Sequence, residues 1–136
     1  MNKIKRVYVA GLLTPRGTNS VHPAIDYLLN IRNLVRWSLK VFFAGFDPFC
    51  PALDYLFFLL LHKGEHITEP MIKRFSKSWL EVSDAIFMTP KWKKSPGSVG
   101  EKEVAEKLNI PVFYKIKAMK EYNEKLAPKK IEENSQ

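Results

Sequence analysis

Apolar and polar positions change period several times along the chain. "RVYVAG", residues 6–11, is β-branched and aromatic and ends at Gly11, which predicts a buried strand. "LLTPRGTNSVHP", 12–23, reads as a loop by its Pro, Gly, Asn and Ser content. From Ala24 to about Ala44 apolar residues recur at helical spacing (Ile25, Leu28, Leu29, Leu34, Val35, Leu39, Phe42), and Gly45 stops that helix. "FDPFCP", 46–51, is a short strand or an extended turn. "ALDYLFFLLLHKG", 52–64, is apolar on most sides, as suits a helix that is buried or used in an oligomer interface. Pro70 opens the next helix, with Thr68 as its cap, running to about Val82. "DAIFMT", 84–89, predicts a buried strand, Gly97 to Leu108 a helix, "IPVFYKI", 110–116, a strand, and 118–126 a final helix.

Strand and helix alternate, and the strands are continuously apolar. The pattern predicts an α/β, three-layer, Rossmann/flavodoxin-like fold: a parallel sheet of about four to five strands with helices on both faces. One domain over 1–126 and a disordered tail over 127–136 are expected. In such sheets ligands sit at the carboxyl ends of the strands, so the loops after Gly11, after Thr89 and around Pro48 to Pro51 would line one cleft.

Composition changes this picture little. Apolar residues make up 46% and charged residues 26% of the 136, ordinary for a soluble domain. A single cysteine, Cys50, leaves no internal disulfide framework and fits a reducing compartment. The opening "MNKIKRVYVAG" has too short an apolar stretch for a signal peptide, and "YLFFLLL", 55–61, falls far below a membrane span, so a cytoplasmic protein with no membrane partner is expected. The net charge of +8 is partly local, in "KWKK" at 91–94 and in six lysines between Lys115 and Lys130. Without a recognition motif of interleaved aromatics, nucleic-acid binding is a minor option.

The chemistry concentrates in "SPGSVGE", 95–101. Gly97 permits close backbone approach to a ligand, free N–H groups at a helix start favour negative charge, and Ser95 and Ser98 add hydroxyl donors. The same stretch also serves as an ordinary turn and cap, with Glu101 favourable near the helix's positive end. The stretch matches neither a P-loop nor a dinucleotide fingerprint.

In order and spacing, "VYVAG", "FDPFCPAL", "SDAIFM" and "PKWKKSPGSVGEKEVAEKLNIPVFY" resemble the nucleoside 2-deoxyribosyltransferase superfamily over roughly residues 5–116. Trp92, Ser95, Gly97 and Glu101 match the pattern of a small branch with Trp ahead of Ser-x-Gly-x-x-x-Glu; Tyr8, Ala10 and Gly11 match its first strand. The resemblance implies that Glu101 is a nucleophile, attacking the anomeric carbon to give a glycosyl-enzyme intermediate. A helix N-terminus would hold its pKa down and keep it ionised. The resemblance also implies that Tyr8 contacts the nucleophile or the sugar and that Trp92 stacks on a base or covers the cleft. Ser95 stands where relatives acting on free nucleosides carry Asp and those hydrolysing deoxynucleoside 5'-monophosphates carry Ser. With Arg16 and Lys91, Lys93 and Lys94 as further anion ligands, a nucleotide is favoured over a nucleoside. The superfamily's second catalytic carboxylate falls on Ser76, which cannot act as an acid–base; Asp47 is a conceivable substitute. Relatives form oligomers in which a neighbour completes the site, so a homo-oligomer is expected. No cofactor is implied.

The remaining candidates read structurally. Asp84 caps the turn into its strand. His62 and His66 share i,i+4 spacing, but no third metal ligand is evident. His22 reads as a loop residue, Cys50 as a buried or turn cysteine, and Glu103 and Glu106 as solvated helix residues. The leading expectation is an N-glycosidase or deoxyribosyltransferase-like enzyme. The alternative is a non-catalytic nucleotide-binding or sensing module on the same fold.

Overall fold

A computed structural model describes residues 2–14 and 22–127. Four strands, β1 (Arg6–Ala10), β2 (Asp47–Phe49), β3 (Ala85–Met88) and β4 (Val112–Phe113), form one parallel sheet in the order β2-β1-β3-β4. Five α-helices accompany them among the described residues: α1 (Pro23–Phe43), α2 (Tyr55–Leu59), α3 (Glu69–Glu81), α4 (Pro96–Lys107) and α5 (Ile116–Leu126). The three-layer α/β parallel-sheet fold read from the sequence is what the chain adopts. Arg16 and nearly all of the expected tail lie outside the described residues.

Period-2 alternation distributes β1 between two cores, because successive strand side chains point to opposite faces. Val7 and Val9 pack with Ile31, Leu34 and Val41 of α1 and Met119 of α5. Tyr8 and Ala10 face the other way, onto Leu80 of α3 and Ala105 of α4. The polar residues that shape the frame sit at turns and edges. The Asn123 side chain accepts from Ile4 N at 2.8 Å and donates to Ile4 O at 2.9 Å, tying α5 to the entry of β1. Asp84 accepts from Lys5 N at 3.0 Å and Arg6 N at 2.9 Å, so it caps the start of β1 as well as leading into β3.

Helix ends follow local chemistry. Thr68 accepts from Met71 N at 3.4 Å and so caps α3. Gly45 adopts φ +97° after α1, and Phe46 N donates back to Val41 O at 3.3 Å, a left-handed stop that glycine permits. Two expected elements differ. The apolar run at 52–64 is not one helix: a 3₁₀ turn, Pro51–Asp54, leads into a five-residue helix that ends at Leu59. The strand expected over 110–116 shortens to Val112–Phe113 because α5 begins at Ile116.

Candidate active site

β1 lies between β2 and β3, so the crossovers leave it in opposite directions, the arrangement that opens a crevice at the carboxyl ends of the strands. Three elements bring side chains to the α3/α4 face of that crevice, and a fourth adds a charge. β1 contributes Tyr8, fully buried at 0% exposure. α3 contributes Ser76 and α4 contributes Glu101, while Asp54, in the 3₁₀ turn after β2, lies near enough for its charge to act on both Tyr8 and Glu101.

Glu101 faces inward for a reason written in α4's spacing. Ser98, Glu101 and Ala105 stand three and four residues apart, on one helical face. Ser98 and Ala105 are each at 0% exposure, so Glu101 between them is drawn under the helix. One carboxylate oxygen, Oε2, is fully buried although the residue as a whole keeps some exposed surface. Among the described residues, Tyr8 Oη, Ser98 Oγ and Glu101 Oε2 are buried without a hydrogen-bond partner of good geometry. Three orphaned polar atoms around one helix start are expensive unless a ligand or water meets them. The Tyr8 hydroxyl nonetheless lies near enough to act on the Glu101 carboxylate and on Ser76.

The electrostatics correct one expectation. Burial pushes the Glu101 carboxyl up from 4.5 to about 7; the Tyr8 hydroxyl pulls it back down in part, and the Asp54 charge adds to the rise. The helix does not hold it low. α4 starts at Pro96, so Glu101 lies beyond the first turn, where the dipole has faded and desolvation prevails. Burial, the Glu101 charge and, more weakly, Asp54 hold the Tyr8 phenol well above its usual range, so Tyr8 remains a neutral donor. Asp54, 8% exposed, is also raised by burial, against hydrogen bonds from its own and the Tyr55 backbone.

Asp54 is the residue that sequence reasoning missed. Its signal was present: a lone acid between "PAL" and "YLFFLLL" is costly to bury unless its charge is used. Asp47, the acid singled out instead, opens β2 at the amino end of the sheet. There it is exposed beside Lys3, Lys5, Arg6 and Asp84, at the end opposite the crevice, so it cannot substitute for the missing carboxylate. Ser76 does reach the site, as a neighbour of the Tyr8 hydroxyl.

The other expected residues divide. Ser95 is the N-cap of α4: its Oγ accepts from Ser98 N at 3.2 Å, and its own proton is still available to donate. A Cβ at Gly97 would meet only Ser95 Oγ, at 3.8 Å, so the glycine leaves open space at the helix mouth. Gly11 is different. A Cβ there would overlap Thr89 Oγ1 and come within 2.8 Å of Leu34 Cδ1, so its glycine is explained by packing at the end of β1. Trp92 packs half-buried beside Tyr114, with ring centroids 5.8 Å apart, and lines a neighbouring cleft that includes neither Tyr8 nor Glu101. Aromatic rings wall the crevice on its other side: Phe49 lies 5.5 Å from Tyr8 and stacks at 5.0 Å on Trp79, and Phe75 contacts both Phe49 and Phe57.

Among the described residues no group of three or more His, Cys, Asp and Glu is placed to hold a metal ion. No helix among them is long and apolar enough to cross a membrane. Compared with known proteins, the chain matches no family model, no curated protein and no solved structure, so its function is argued from this geometry.

Proposed function

We propose that the chain is an N-glycosidase or deoxyribosyltransferase-like enzyme that cleaves the base–sugar bond of a nucleotide or nucleoside, with Glu101 as nucleophile. The observation that carries this reading is the buried Glu101 carboxyl beside the Tyr8 hydroxyl, within reach of the Asp54 charge, at the carboxyl end of a parallel sheet. Ionised Glu101 attacks the anomeric carbon; the C–N bond breaks, a sugar–carboxylate ester forms, and the leaving base takes a proton. Water supplies that proton, and Asp54, in place of the carboxylate that Ser76 lacks, steadies the positive charge that develops on the sugar. The Asp54 charge raises the Glu101 carboxyl, so Asp54 is the first of the two to ionise and is a carboxylate whenever Glu101 is. The Tyr8 hydroxyl orients Glu101 and steadies its charge. Water or an acceptor base then resolves the ester, losing its proton to solvent and freeing the Glu101 carboxylate. The wall of Phe49, Phe75 and Trp79 gives a flat base a surface to lie on. The Ser95 hydroxyl and the open mouth at Gly97 favour a 5'-phosphate.

The test is incubation of the purified chain with ribo- and deoxynucleosides and their 5'-monophosphates, with and without a free acceptor base, following released base by chromatography. Release from monophosphates alone supports the hydrolase form with Ser95 at the phosphate. Exchange that needs an acceptor base supports the transferase form. Saturable binding with no release from any substrate sinks the enzyme and leaves a nucleotide-binding module, as Ser76 would then suggest.

The same reading includes self-association. Ile25, Leu28, Leu29, Val35, Leu39, Phe42 and Phe43 on α1 are exposed by 36 to 75%. At roughly 100 Å² apiece they present about 700 Å², beyond the roughly 300–600 Å² patch of a typical monomer and close to the roughly 800 Å² per partner of a standard interface. Leu53, Leu56, Phe57, Phe58, Leu59 and Leu60 form a second exposed group flanking Asp54. A second copy of the chain is the occupant proposed for these faces, and a monomeric mass in solution would refute it.

A further inference from the structure

Beside the Glu101 crevice lies a second cleft of about 380 Å³, at the carboxyl end of β3. Its floor is Met88, its aromatic walls are Trp92 and Tyr114, and its rim is Lys91, Lys93 and Lys94. Among the described residues, no carboxylate lines it. The two rings lie 5.8 Å apart and tilted at 35°, with Tyr114 half exposed, a partly open aromatic platform at the surface.

Cations gather around this platform. Lys93 Nζ lies 5.8 Å and Lys102 Nζ 5.5 Å from the centre of the Trp92 ring. Lys102 is neutralised by Glu106 at 2.7 Å, whereas Lys91, Lys93 and Lys94 form no ion pair among the described residues. The backbone that presents them is unusual. Lys91 adopts φ 69° and ψ 12°, left-handed and uncommon for a residue with a side chain. Lys94 N donates to Lys91 O at 3.0 Å, and Ser95 N to Trp92 O at 2.9 Å closes the next turn.

The cleft is lined by neither Tyr8 nor Glu101, and α4 turns different faces to the two places. Successive residues on a helix diverge by about 100°. Glu101 turns inward to Tyr8, while Lys102 turns outward over Trp92.

We propose that this cleft is a separate binding site for a free mononucleotide, its base on the Trp92–Tyr114 platform and its phosphate on Lys91, Lys93 and Lys94. A flat ring system satisfies the half-exposed Tyr114 ring beside Trp92, and an anion satisfies three ammonium groups that form no ion pair among the described residues; a mononucleotide carries both. The volume falls in the range of small-molecule sites, roughly 300–1,000 Å³. Neither the identity of Glu101 as nucleophile nor the occurrence of turnover enters the inference.

The chain has three tryptophans, so its indole N–H signals can be followed individually by NMR, with the Trp92 signal assigned from Trp92→Phe. Adenosine 5'-monophosphate is the probe. The Trp92 signal should move saturably, with adenosine binding more weakly and inorganic phosphate leaving the signal in place. Tyr114→Ala, and separately the double change Lys93→Glu with Lys94→Glu, should each weaken binding about tenfold or more. These are surface positions, so the test survives even if Trp92 variants fail to fold. The double variant Glu101→Gln, Asp54→Asn should keep the shift. Loss of the shift in that variant would make the cleft part of the Glu101 site and overturn the proposal. So would a stationary Trp92 signal, an equal response to phosphate alone, or binding of single-stranded oligonucleotides without binding of the mononucleotide.

Discussion

Replacing Glu101 by Gln should stabilise the protein at alkaline pH while abolishing its chemistry. The carboxyl titrates at about 7 in the folded chain against an ordinary value of 4.5, because ionising it inside α4's buried face costs solvation. The sign follows from linkage. A carboxyl raised on folding contributes stability that is fully present below pH 4.5 and is lost as the pH rises through about 7. At roughly 1.4 kcal/mol for each pH unit of that gap, the loss approaches about 3 kcal/mol by pH 9. Glu101 keeps part of its surface exposed, which makes this an upper bound. Gln retains the shape and the acceptor facing Tyr8 and never ionises. Thermal unfolding of both proteins across pH 4 to 9 measures the difference. Their midpoints should lie close together near pH 4, separate between about pH 4.5 and 7, and stay apart above that, the variant melting up to about 10 °C higher. A constant gap at all pH values, or a variant less stable at pH 9, would refute the reasoning.

Two substitutions should move the acid limb of activity in opposite directions. Tyr8→Phe removes the hydroxyl that lowers the Glu101 carboxyl, so the limb should rise above about 7. Asp54→Asn removes the charge that raises it, so the limb should fall, with a lower maximal rate because the carboxylate that steadies the sugar's developing charge is gone. Limbs that move together, read from pH–rate profiles, would contradict the assignment. Gly11→Ala should cost about 1–3 kcal/mol in denaturant unfolding, since its methyl would overlap Thr89 Oγ1 and crowd Leu34. Leu28→Glu combined with Phe42→Glu on α1's exposed stripe should yield a monomer by light scattering where the parent chain associates.

Much of the frame was legible because its signals are local. Gly45 stops α1, Thr68 caps α3, and the apolar runs at 6–10 and 85–88 are strands that bury both faces. The loop at Ser95 to Glu101 was legible as a place, and α4 does present Glu101 inward there. What failed depended on distance through space. The ionisation of Glu101 was misjudged because counting residues from the helix start suggested a dipole effect, while burial beneath Ser98 and Ala105 governs it. Asp47 looked like a substitute acid because it stands near β2, but strand direction puts it at the wrong end. Asp54, seven residues on, ends the 3₁₀ turn that follows β2, and there its charge reaches Glu101. The apolar run after it looked like a long helix, and the chain turns instead at Leu60.

The central claim is that Glu101 performs covalent chemistry on a glycosidic bond. The most direct measurement is release of free base from 5'-monophosphates by the parent chain and by Glu101→Gln, side by side near pH 8, with circular dichroism confirming that both are folded. The account predicts release by the parent chain and none above background by the variant. Equal release by both, or none by either, would contradict it.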